Sequence, residues 1–391
     1  MESLLYRVKT MSVKTNLRVG LQQRVLPTYR VPFLEALGDA CPNGLYVFAG
    51  RPRPEEMIVS AERLNHAHLT QTVNYHLFSP SSSFYLCWQS GILDWVKDKQ
   101  PDILMVEANP RYLSTRRAIR WMRKRRRPVI GWGLGAPPLS GALVPLRRWE
   151  RLSFLHSLDG IIAYSRRGAQ EYQNMGIAPQ NVFVACNAIM PKPTKPPKAR
   201  PESFRGKPNI LFIGRLQERK KIDNLLYACA GLPEPIQPHL VIVGDGPTRA
   251  TWEGLAKTVY PETEFVGAKH GSDLEKYFDD ADLFVLPGSG GLAVQQAMAH
   301  GLPVIVAQGD GTQDDLVRPA TPQQPGNGWI IPPDDVPALT DALRCALNDV
   351  AGLRQRGNES FWIVLQEANL ENMVKVFIEA IEGIFHQPVI T

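Results

Sequence analysis

The sequence predicts an α/β protein made of two doubly wound domains. Apolar runs of strand length alternate with helical patterns over residues 17–186, and the alternation restarts at residue 209. Between them, residues 191–208 are rich in proline, lysine and arginine, as linkers are. A chain of 391 residues is also long for a single core. We expect an N-terminal domain (1–190), the linker (191–208), a C-terminal domain (209–368) and a final helical segment (369–391) that could pack back on the first domain.

In the N-terminal half, strands and helices follow each other in the order expected for parallel sheets covered on both faces. Strands buried on two faces read as nearly continuous apolar runs, whereas the helices show apolar residues three and four apart. The predicted strands are 17–23, 45–50, 102–108, 128–133, 159–165 and 181–186. The predicted helices are 32–41, 83–100, 114–127 and 166–176.

The C-terminal half repeats this pattern. Its predicted strands are 209–214, 239–244, 263–267, 283–286 and 303–307. Its predicted helices are 222–231, 248–259, 273–280, one that follows residue 291, 336–349 and 369–385. Ligands of doubly wound sheets bind outside the carboxyl ends of the strands, so the loops that follow these strands should face one crevice.

One stretch of the C-terminal half, residues 281–307, indicates an anion site. It contains an apolar strand, the glycine-rich turn Pro287–Gly291, a helix and a second short strand. Backbone N–H groups of such a turn and of the first helical turn converge on one point, which favours a phosphate. An ordinary tight turn in an α/β sheet is an equally open interpretation of this stretch taken alone.

Composition and cysteine spacing indicate a reduced compartment. Five cysteines, an odd number without a CxxC pair, argue against a disulfide framework or a zinc site. The N-terminus lacks the apolar core of a signal peptide, and no apolar run approaches the roughly 18 residues of a membrane span. We expect a cytoplasmic protein.

A basic patch lies in the N-terminal half. From Arg111 to Arg127 there is no acidic residue, and Trp121 and Met122 are interleaved with the cations. This combination suits anionic lipid headgroups, so we expect peripheral membrane association. Nucleic acid is a rival partner without a matching motif, and a solvated helix face remains open. The expected membrane patch consists of Arg116, Arg120, Arg123, Lys124 and Arg127.

Four segments of the C-terminal half carry a family resemblance: GRLQERKKIDNLL, LVIVGDGP, EFVGAKHGSDLEKYFDDADLFVLPGSGGLAVQQAMAHGLPVI and NGWIIPPDDVPALTDAL. In order and spacing, residues 209–349 resemble the nucleotide-sugar domain of the retaining family 4 glycosyltransferases. The N-terminal half fits that family only in general organisation. The resemblance implies the GT-B fold, in which two Rossmann-like domains face a central cleft.

The resemblance also implies a donor site for a nucleotide-diphosphate sugar, UDP or GDP. Arg215 and Lys220 match the family's catalytic cations, which would stabilise the departing diphosphate. Asp245 reads as a cap of the next helix rather than a ligand. The implied donor-binding residues are Gly214, Gly244, Gly246, Gly267, Lys269, Gly288, Ser289, Gly290, Gly291, Leu292 and Gln296.

The chain departs from the family at two motif positions. Where the family has two glutamates eight positions apart, this chain has Gly288 and Gln296. Gly288 has no side chain to hold the donor sugar, which leaves backbone N–H groups, and Gln296 keeps an acceptor oxygen without its charge. Downstream, Asp315 falls where the family often has another acid. Either the sugar is held in another way, or the protein is a degenerate relative without turnover.

On the acceptor side, the family's usual Gly-Gly turn and histidine are also replaced. Tyr29 and Arg30 follow the first strand, and Trp132 and Gly133 end the strand that begins at Pro128. We expect these four residues to face the acceptor.

The resemblance implies retaining transfer in which the leaving diphosphate takes the acceptor proton. We interpret Asp280 and Asp282 as a cap and turn rather than a metal-binding DxD, and we expect neither a metal nor a cofactor. The predicted function is a hexosyltransferase of polysaccharide biosynthesis that acts on a lipid-linked or envelope glycan at the inner membrane face. A non-catalytic nucleotide-sugar-binding or membrane scaffold and a nucleotide-sugar epimerase are the alternatives.

Overall fold

The computed structural model describes residues 13–387, except for 57, 80–81, 83 and 142. The chain divides into two compact units. The first comprises the chain up to Tyr164, residues 168–185 and the segment from Glu371 onward; the second comprises residues 165–167 and 186–370. Each unit is built on a parallel sheet with flanking helices, so the predicted α/β class is confirmed.

The first unit contains a seven-stranded parallel sheet in the order β3-β2-β1-β6-β7-β8-β9. The strands of this unit are β1 (Val19–Val25), β2 (Leu45–Gly50), β3 (His68–Thr72), β4 (Asn74–Leu77), β5 (Leu86–Gln89), β6 (Ile103–Glu107), β7 (Val129–Gly133), β8 (Gly160–Ala163) and β9 (Val182–Val184). Its helices are α1 (Val31–Asp39), α2 (Ile92–Lys99), α3 (Thr115–Arg123), α4 (Val144–Leu155), α5 (Arg166–Asn174) and α13 (Leu370–Phe385).

The predicted helix over residues 83–100 is wrong in its first half. Leu86–Gln89 is strand β5, which pairs antiparallel with β4, and only Ile92–Lys99 is helical. From Phe84 to Gln89, exposed or half-buried residues alternate with buried ones, which is the period of a strand. Gly91, with φ +75°, separates the two elements. Apolar residues spaced three and four apart continue across this boundary, which is why the sequence pattern predicts a single helix.

Helix α13 packs on the first unit. The ring of Phe377 lies 4.8 Å from that of Phe33 and 5.0 Å from that of Trp132, in edge-on contacts that bury all three side chains. A Cβ on Gly160 in β8 would meet the Ile384 side chain, so this side chain of α13 packs directly against the backbone of β8. Helix α13, which follows the second unit in the sequence, therefore completes the core of the first unit.

The second unit contains a six-stranded parallel sheet in the order β12-β11-β10-β13-β14-β15. Its strands are β10 (Asn209–Ile213), β11 (His239–Val243), β12 (Thr263–Gly267), β13 (Leu283–Leu286), β14 (Val304–Ala307) and β15 (Gly328–Ile331). Its helices are α6 (Ile222–Ala230), α7 (Arg249–Val259), α8 (Ser272–Asp280), α9 (Leu292–Ala299), α10 (Thr312–Leu316), α11 (Val336–Asn348) and α12 (Val350–Gln366).

The proline-rich segment forms neither helix nor strand, and it is fixed to the second unit by an arginine. Arg200 is half-buried and donates hydrogen bonds to the carbonyl oxygens of Phe278, Ala281, His300 and Gly301. Those carbonyls lie at the ends of α8 and α9, where helices leave acceptors unsatisfied. This segment therefore packs on the second unit and is held there by hydrogen bonds, in addition to connecting the two halves of the chain.

We predict that Phe377→Ala lowers the free energy of unfolding by about 3–5 kcal/mol, because a fully buried aromatic ring is lost and a cavity remains. Phe84→Ala is the matched control, since Phe84 is 49% exposed in the same unit. Urea unfolding followed by circular dichroism measures both changes. Equal effects of the two substitutions would contradict the placement of Phe377 in the core.

Candidate functional site

In the second unit, the strand order reverses between β10 and β13, the point at which doubly wound sheets bind ligands. The loops after these two strands touch there. The Ser289 N–H donates to the Arg219 carbonyl oxygen at 3.0 Å, and Lys220 Nζ donates to the Ser289 carbonyl oxygen at 2.7 Å. The predicted cation Lys220 and the predicted glycine-rich turn are therefore brought together.

The glycine-rich turn leaves no room for side chains at two positions. A Cβ on Gly288 would collide with the carbonyl oxygen of Arg219 and lie 2.7 Å from Lys220 Cα. Gly290 has φ +111°, and a Cβ there would meet Lys220 Nζ. The backbone of residues 219–220 thus occupies the space into which a glutamate at position 288 would project.

Lys220 is a buried cation beside a second cation. Its side chain is held in a short 3-10 turn, Glu218–Lys220, and the residue is 8% exposed. Burial, with a further effect of the Arg219 charge, lowers the pKa of Lys220 to about 8. Arg219 Nη1 lies 3.2 Å from both the carbonyl oxygen and Oγ of Ser289. Two cations and a polar turn therefore converge, and neither cation pairs with a carboxylate in the described part of the chain, an arrangement that favours an anion.

Helix α9 begins directly after the turn and adds backbone donors. Gly291 caps it without a side-chain hydrogen bond, so the N–H groups of the first turn, which includes Leu292, are not capped by a side chain. The positive end of the helix dipole favours negative charge at the same point. Gln296 lies half-buried one turn further along α9.

Two participants in this site were missed in the sequence: Arg219 and Gln313. Gln313 in α10 is fully buried, and its Nε2 donates to the Gly288 carbonyl oxygen at 3.2 Å. Its Oε1 is buried without a hydrogen bond to the residues that the structure describes. Gln313 lies 25 positions after Gly288, with β14 between them, so no local pattern signals the contact.

The other predicted donor loops meet at the same edge of the sheet. Gly214 N–H donates to the Val243 carbonyl oxygen at 3.0 Å, and Gly244 N–H donates to that of Gly267 at 2.9 Å. Gly244 has φ +146°, and its missing Cβ allows the approach of the Gly214 carbonyl. Gly246 makes the equivalent close approach to the Leu216 carbonyl. Arg215 is half-buried between Gly214 and Leu216.

Lys269 follows Gly267 on the loop that leads to α8, and its side chain is half-buried. The nearby Asp245 is not the helix cap that we predicted. Its Oδ1 accepts from the Gly246 N–H at 2.7 Å, and its Oδ2 pairs with Arg249 at 3.2 Å. Thr248 precedes α7 instead, without a side-chain cap. The Asp245 carboxylate pairs with Arg249, four residues later in the chain, instead of accepting from the helix N–H groups.

Three acidic residues considered in the sequence make hydrogen bonds within the second unit. Asp282 Oδ2 accepts from the Asn209 N–H at 2.9 Å, and its Oδ1 pairs with Arg354 at 2.7 Å. The Asp280 carbonyl accepts from the Asn209 side chain. Asp315 accepts from the Arg166 N–H at 2.7 Å, and burial raises the pKa of its carboxyl group. Within the described part of the chain, no three potential metal ligands cluster.

The four predicted acceptor-side residues lie at the carboxyl ends of β1 and β7 in the first unit. Arg30 is buried, with its guanidinium 4.5 Å from the Trp132 ring centre and 3.1 Å from the Tyr164 hydroxyl. Tyr29 beside it is 44% exposed. Gly133 leaves space for Tyr172, whose hydroxyl a Cβ would meet at 2.5 Å. Arg30, Trp132 and Gly133 therefore lie close together at the carboxyl ends of β1 and β7.

The predicted basic patch is divided by the fold. Helix α3 ends at Arg123, and Arg126 has φ +55°, so the predicted helix to residue 127 is too long. Arg120 and Lys124 are exposed, whereas Arg116, Arg123 and Arg127 are half-buried. Arg116 lies 3.6 Å from Glu150, and Arg127 donates to the Pro101 carbonyl at 2.9 Å.

No helix among the described residues combines the length and the apolar character required to cross a bilayer. The exposed cations of the patch region are Arg117, Arg120, Lys124, Arg125 and Arg126.

We predict that Gly288→Ala lowers the free energy of unfolding by about 1–3 kcal/mol, because the turn or residues 219–220 must move to admit a methyl group. Gly291→Ala is the matched control in the same turn. Among the described residues, the neighbours of its Cβ would be Gln313 Cγ and Thr312 Oγ1, both at an ordinary 3.6 Å. Urea unfolding compares the two variants, and equal stability would contradict the close approach at Gly288.

Comparisons with known proteins agree with this architecture. Residues 195–360 match the family model described as glycosyl transferases group 1. Over 132 residues, the chain is 37% identical to a GDP-mannose-dependent alpha-mannosyltransferase of Mycobacterium tuberculosis, and the match covers 32% of each protein. Over 206 residues, it is 28% identical to WcaL of Escherichia coli, named for colanic acid biosynthesis, and this match covers 47% of each. The chain thus spans less than half the length of these curated relatives.

A solved structure shares the fold over nearly the whole chain. HepE of Anabaena, crystallised with UDP, has a TM-score of 0.66 and 14% identity, and the match covers 93% of this chain and 99% of HepE. The predicted GT-B fold is thereby confirmed. Residues 195–360 thus resemble the glycosyl transferases group 1 domain, within a chain that has the GT-B fold.

Proposed function

We propose that the chain is a hexosyltransferase that moves a sugar from a UDP- or GDP-sugar to a glycan acceptor. The observation that supports this most directly is the approach of buried Lys220 to the glycine-rich turn at Ser289. A buried ammonium without a carboxylate partner has lost hydration that an anion would replace. A nucleotide diphosphate fits this need, and the mannosyltransferase relative is named for a GDP-linked donor.

In the proposed reaction, the bond from the sugar C1 to the diphosphate oxygen breaks as a bond from C1 to the acceptor oxygen forms on the same face. The leaving diphosphate takes the proton of the acceptor hydroxyl, so the configuration is retained without a dedicated base. Lys220, Arg215 and the first N–H groups of α9 stabilise the charge that develops on the diphosphate. These cations supply the charge stabilisation without a metal ion.

The donor sugar would be held without the family's first glutamate. Gly288 has no room for a side chain, and the Ser289 N–H already donates to the Arg219 carbonyl oxygen, so the backbone N–H groups from Gly290 to Leu292 are the donors that remain near the sugar. Gln296 would accept from the ribose hydroxyls. Because neutral hydrogen bonds are weaker than charge-assisted ones, we expect weaker sugar discrimination than a glutamate provides.

We further propose that the acceptor is a lipid-linked or envelope glycan and that the protein works at the cytoplasmic face of an anionic membrane. The WcaL relative supports an envelope glycan. On α4, Leu146 and Trp149 are more than half exposed and lie next to Arg147 and Arg148. Apolar side chains beside cations suit a lipid interface.

The first test is a thermal-shift screen against UDP, GDP, ADP, dTDP and CMP, with and without EDTA. Ligand at about a hundred times its dissociation constant should raise the free energy of unfolding by about 2.7 kcal/mol. We expect UDP or GDP to stabilise the wild type regardless of EDTA and to have little effect on Lys220→Gln. Lys221→Gln is the matched control, because Lys221 is its exposed neighbour, paired with Asp334 at 2.6 Å.

If a nucleotide stabilised the wild type and both variants equally, Lys220 would not contribute to nucleotide binding. The absence of a shift with every nucleotide would refute the transferase proposal in favour of a non-catalytic protein. Loss of the shift in EDTA would overturn metal independence alone. Transfer from the matching nucleotide sugar to a glycan then completes the test.

A pH dependence follows from the lowered pKa of Lys220. Anion binding requires the charged ammonium, so above a pKa of about 8 the free protein must take up a proton to bind. We expect nucleotide affinity to change little from pH 7 to 7.5 and to fall by up to about tenfold per pH unit well above 8. Isothermal titration calorimetry measures this profile. A slope that persists in Lys220→Gln would assign it to another group.

A further inference from the structure

A cavity of about 370 Å³ opens in the first unit at the carboxyl ends of β6, β7 and β8. It is large enough for one substituted sugar ring, since small-molecule sites start at roughly 300 Å³. Glu107, Arg111, Tyr112, Trp132, Tyr164 and Arg151 are the polar and aromatic residues of its wall that matter here. The first two follow or end β6, and Arg151 comes from α4.

The cationic side of this cavity is formed by Arg111 and Arg151. Within the described residues, neither guanidinium forms an ion pair; Arg151 Nη1 donates to the Pro137 carbonyl oxygen at 2.5 Å. Burial, then the charges of Arg147 and Arg111, lower the pKa of Arg151, while Glu171 acts in the opposite sense and more weakly. Mutual repulsion of two half-buried guanidinium groups is relieved when an anion binds between them.

The wall of the same cavity also contains groups that can recognise a sugar ring. Glu107 accepts the Arg24 N–H at 2.5 Å, and burial raises the pKa of its carboxyl group despite opposing effects of Arg24 and Tyr112. Trp132 has a buried Nε1 with no hydrogen bond to any described residue. A carboxyl group, an indole N–H and phenol hydroxyls are the kinds of donor and acceptor that sugar hydroxyls pair with.

We propose that this cavity binds an acceptor sugar that carries an anionic group, a carboxylate or a phosphate, held by Arg111 and Arg151. The sugar hydroxyls would face Glu107 and Trp132. This inference rests on the proposed function and narrows it, because a neutral acceptor would leave the two guanidinium groups unmatched. The predicted acceptor residues Trp132 and Gly133 border the same cavity.

The test is isothermal titration of the full chain with monosaccharides of the gluco, galacto and manno series. Each series supplies a neutral hexose, its hexuronate and its 6-phosphate, so that carboxylate and phosphate are distinguished. We expect at least one anionic sugar to bind about tenfold or more tightly than its neutral counterpart. Binding that persists in Lys220→Gln would locate this anion outside the second unit's site.

Substitutions then identify the cationic side. Arg151→Gln and Arg111→Gln should each reduce affinity for the anionic sugar by about tenfold or more, without changing that for a nucleotide diphosphate. Arg148→Gln is the matched control, because it removes the same charge from an exposed position on α4. Its affinity should stay within about twofold of wild type. Thermal melting confirms that each variant is folded.

Three results would overturn the inference. They are equal binding of neutral and anionic sugars, loss of anion binding in Lys220→Gln, and equal loss in Arg148→Gln and Arg151→Gln. If UDP or GDP still stabilises the protein in any of these cases, the proposed transferase function stands and only the acceptor class is wrong. If no nucleotide binds but the anionic sugar does, the cavity is an anionic-sugar site in a protein of another function.

Discussion

The hydrogen bond from Lys220 to the Ser289 carbonyl oxygen is the interaction on which the site in the second unit depends. It joins the loops after two adjacent strands, and it keeps a desolvated cation at the N-terminus of a helix. In the free protein, the low pKa of Lys220 reports the cost of that burial. A bound anion would remove much of this cost. Burial of Lys220 therefore lowers the stability of the free protein but favours ligand binding.

The two units share one feature of sheet topology but place different residues at it. In both, the strand order reverses beside the first strand of the sheet, and the loops at that edge carry the polar groups. In the second unit those groups are cations and backbone donors on glycine-rich turns. In the first unit they are aromatic rings, arginines and the carboxyl group of Glu107.

Most of the fold could be predicted from the sequence, because strands buried on both faces are continuous apolar runs and the helices between them are periodic. The prediction was wrong where two periods met, at the junction of β5 and α2, since residues 83–100 fit a helical spacing until Gly91 is recognised as a break. Helices α4 and α12 were missed. Their apolar and polar residues follow a weaker pattern than the strands around them.

The site divides in the same way. The glycine-rich turn could be predicted because it lies between an apolar strand and a helix that are adjacent in the sequence, and Lys220 because its segment resembles a family motif. Gln313, Arg151 and Glu107 could not, because each reaches its neighbours through the order of strands in the sheet rather than through nearby sequence.

The close approach at Gly288 has an evolutionary consequence. A side chain at position 288 and the present course of residues 219–220 exclude each other, so a glutamate introduced at position 288 alone would destabilise the protein. The motif and the turn must change together, which makes their substitutions epistatic. The residues that position 288 can accept are thus set by the backbone of residues 219–220, which is distant in the chain.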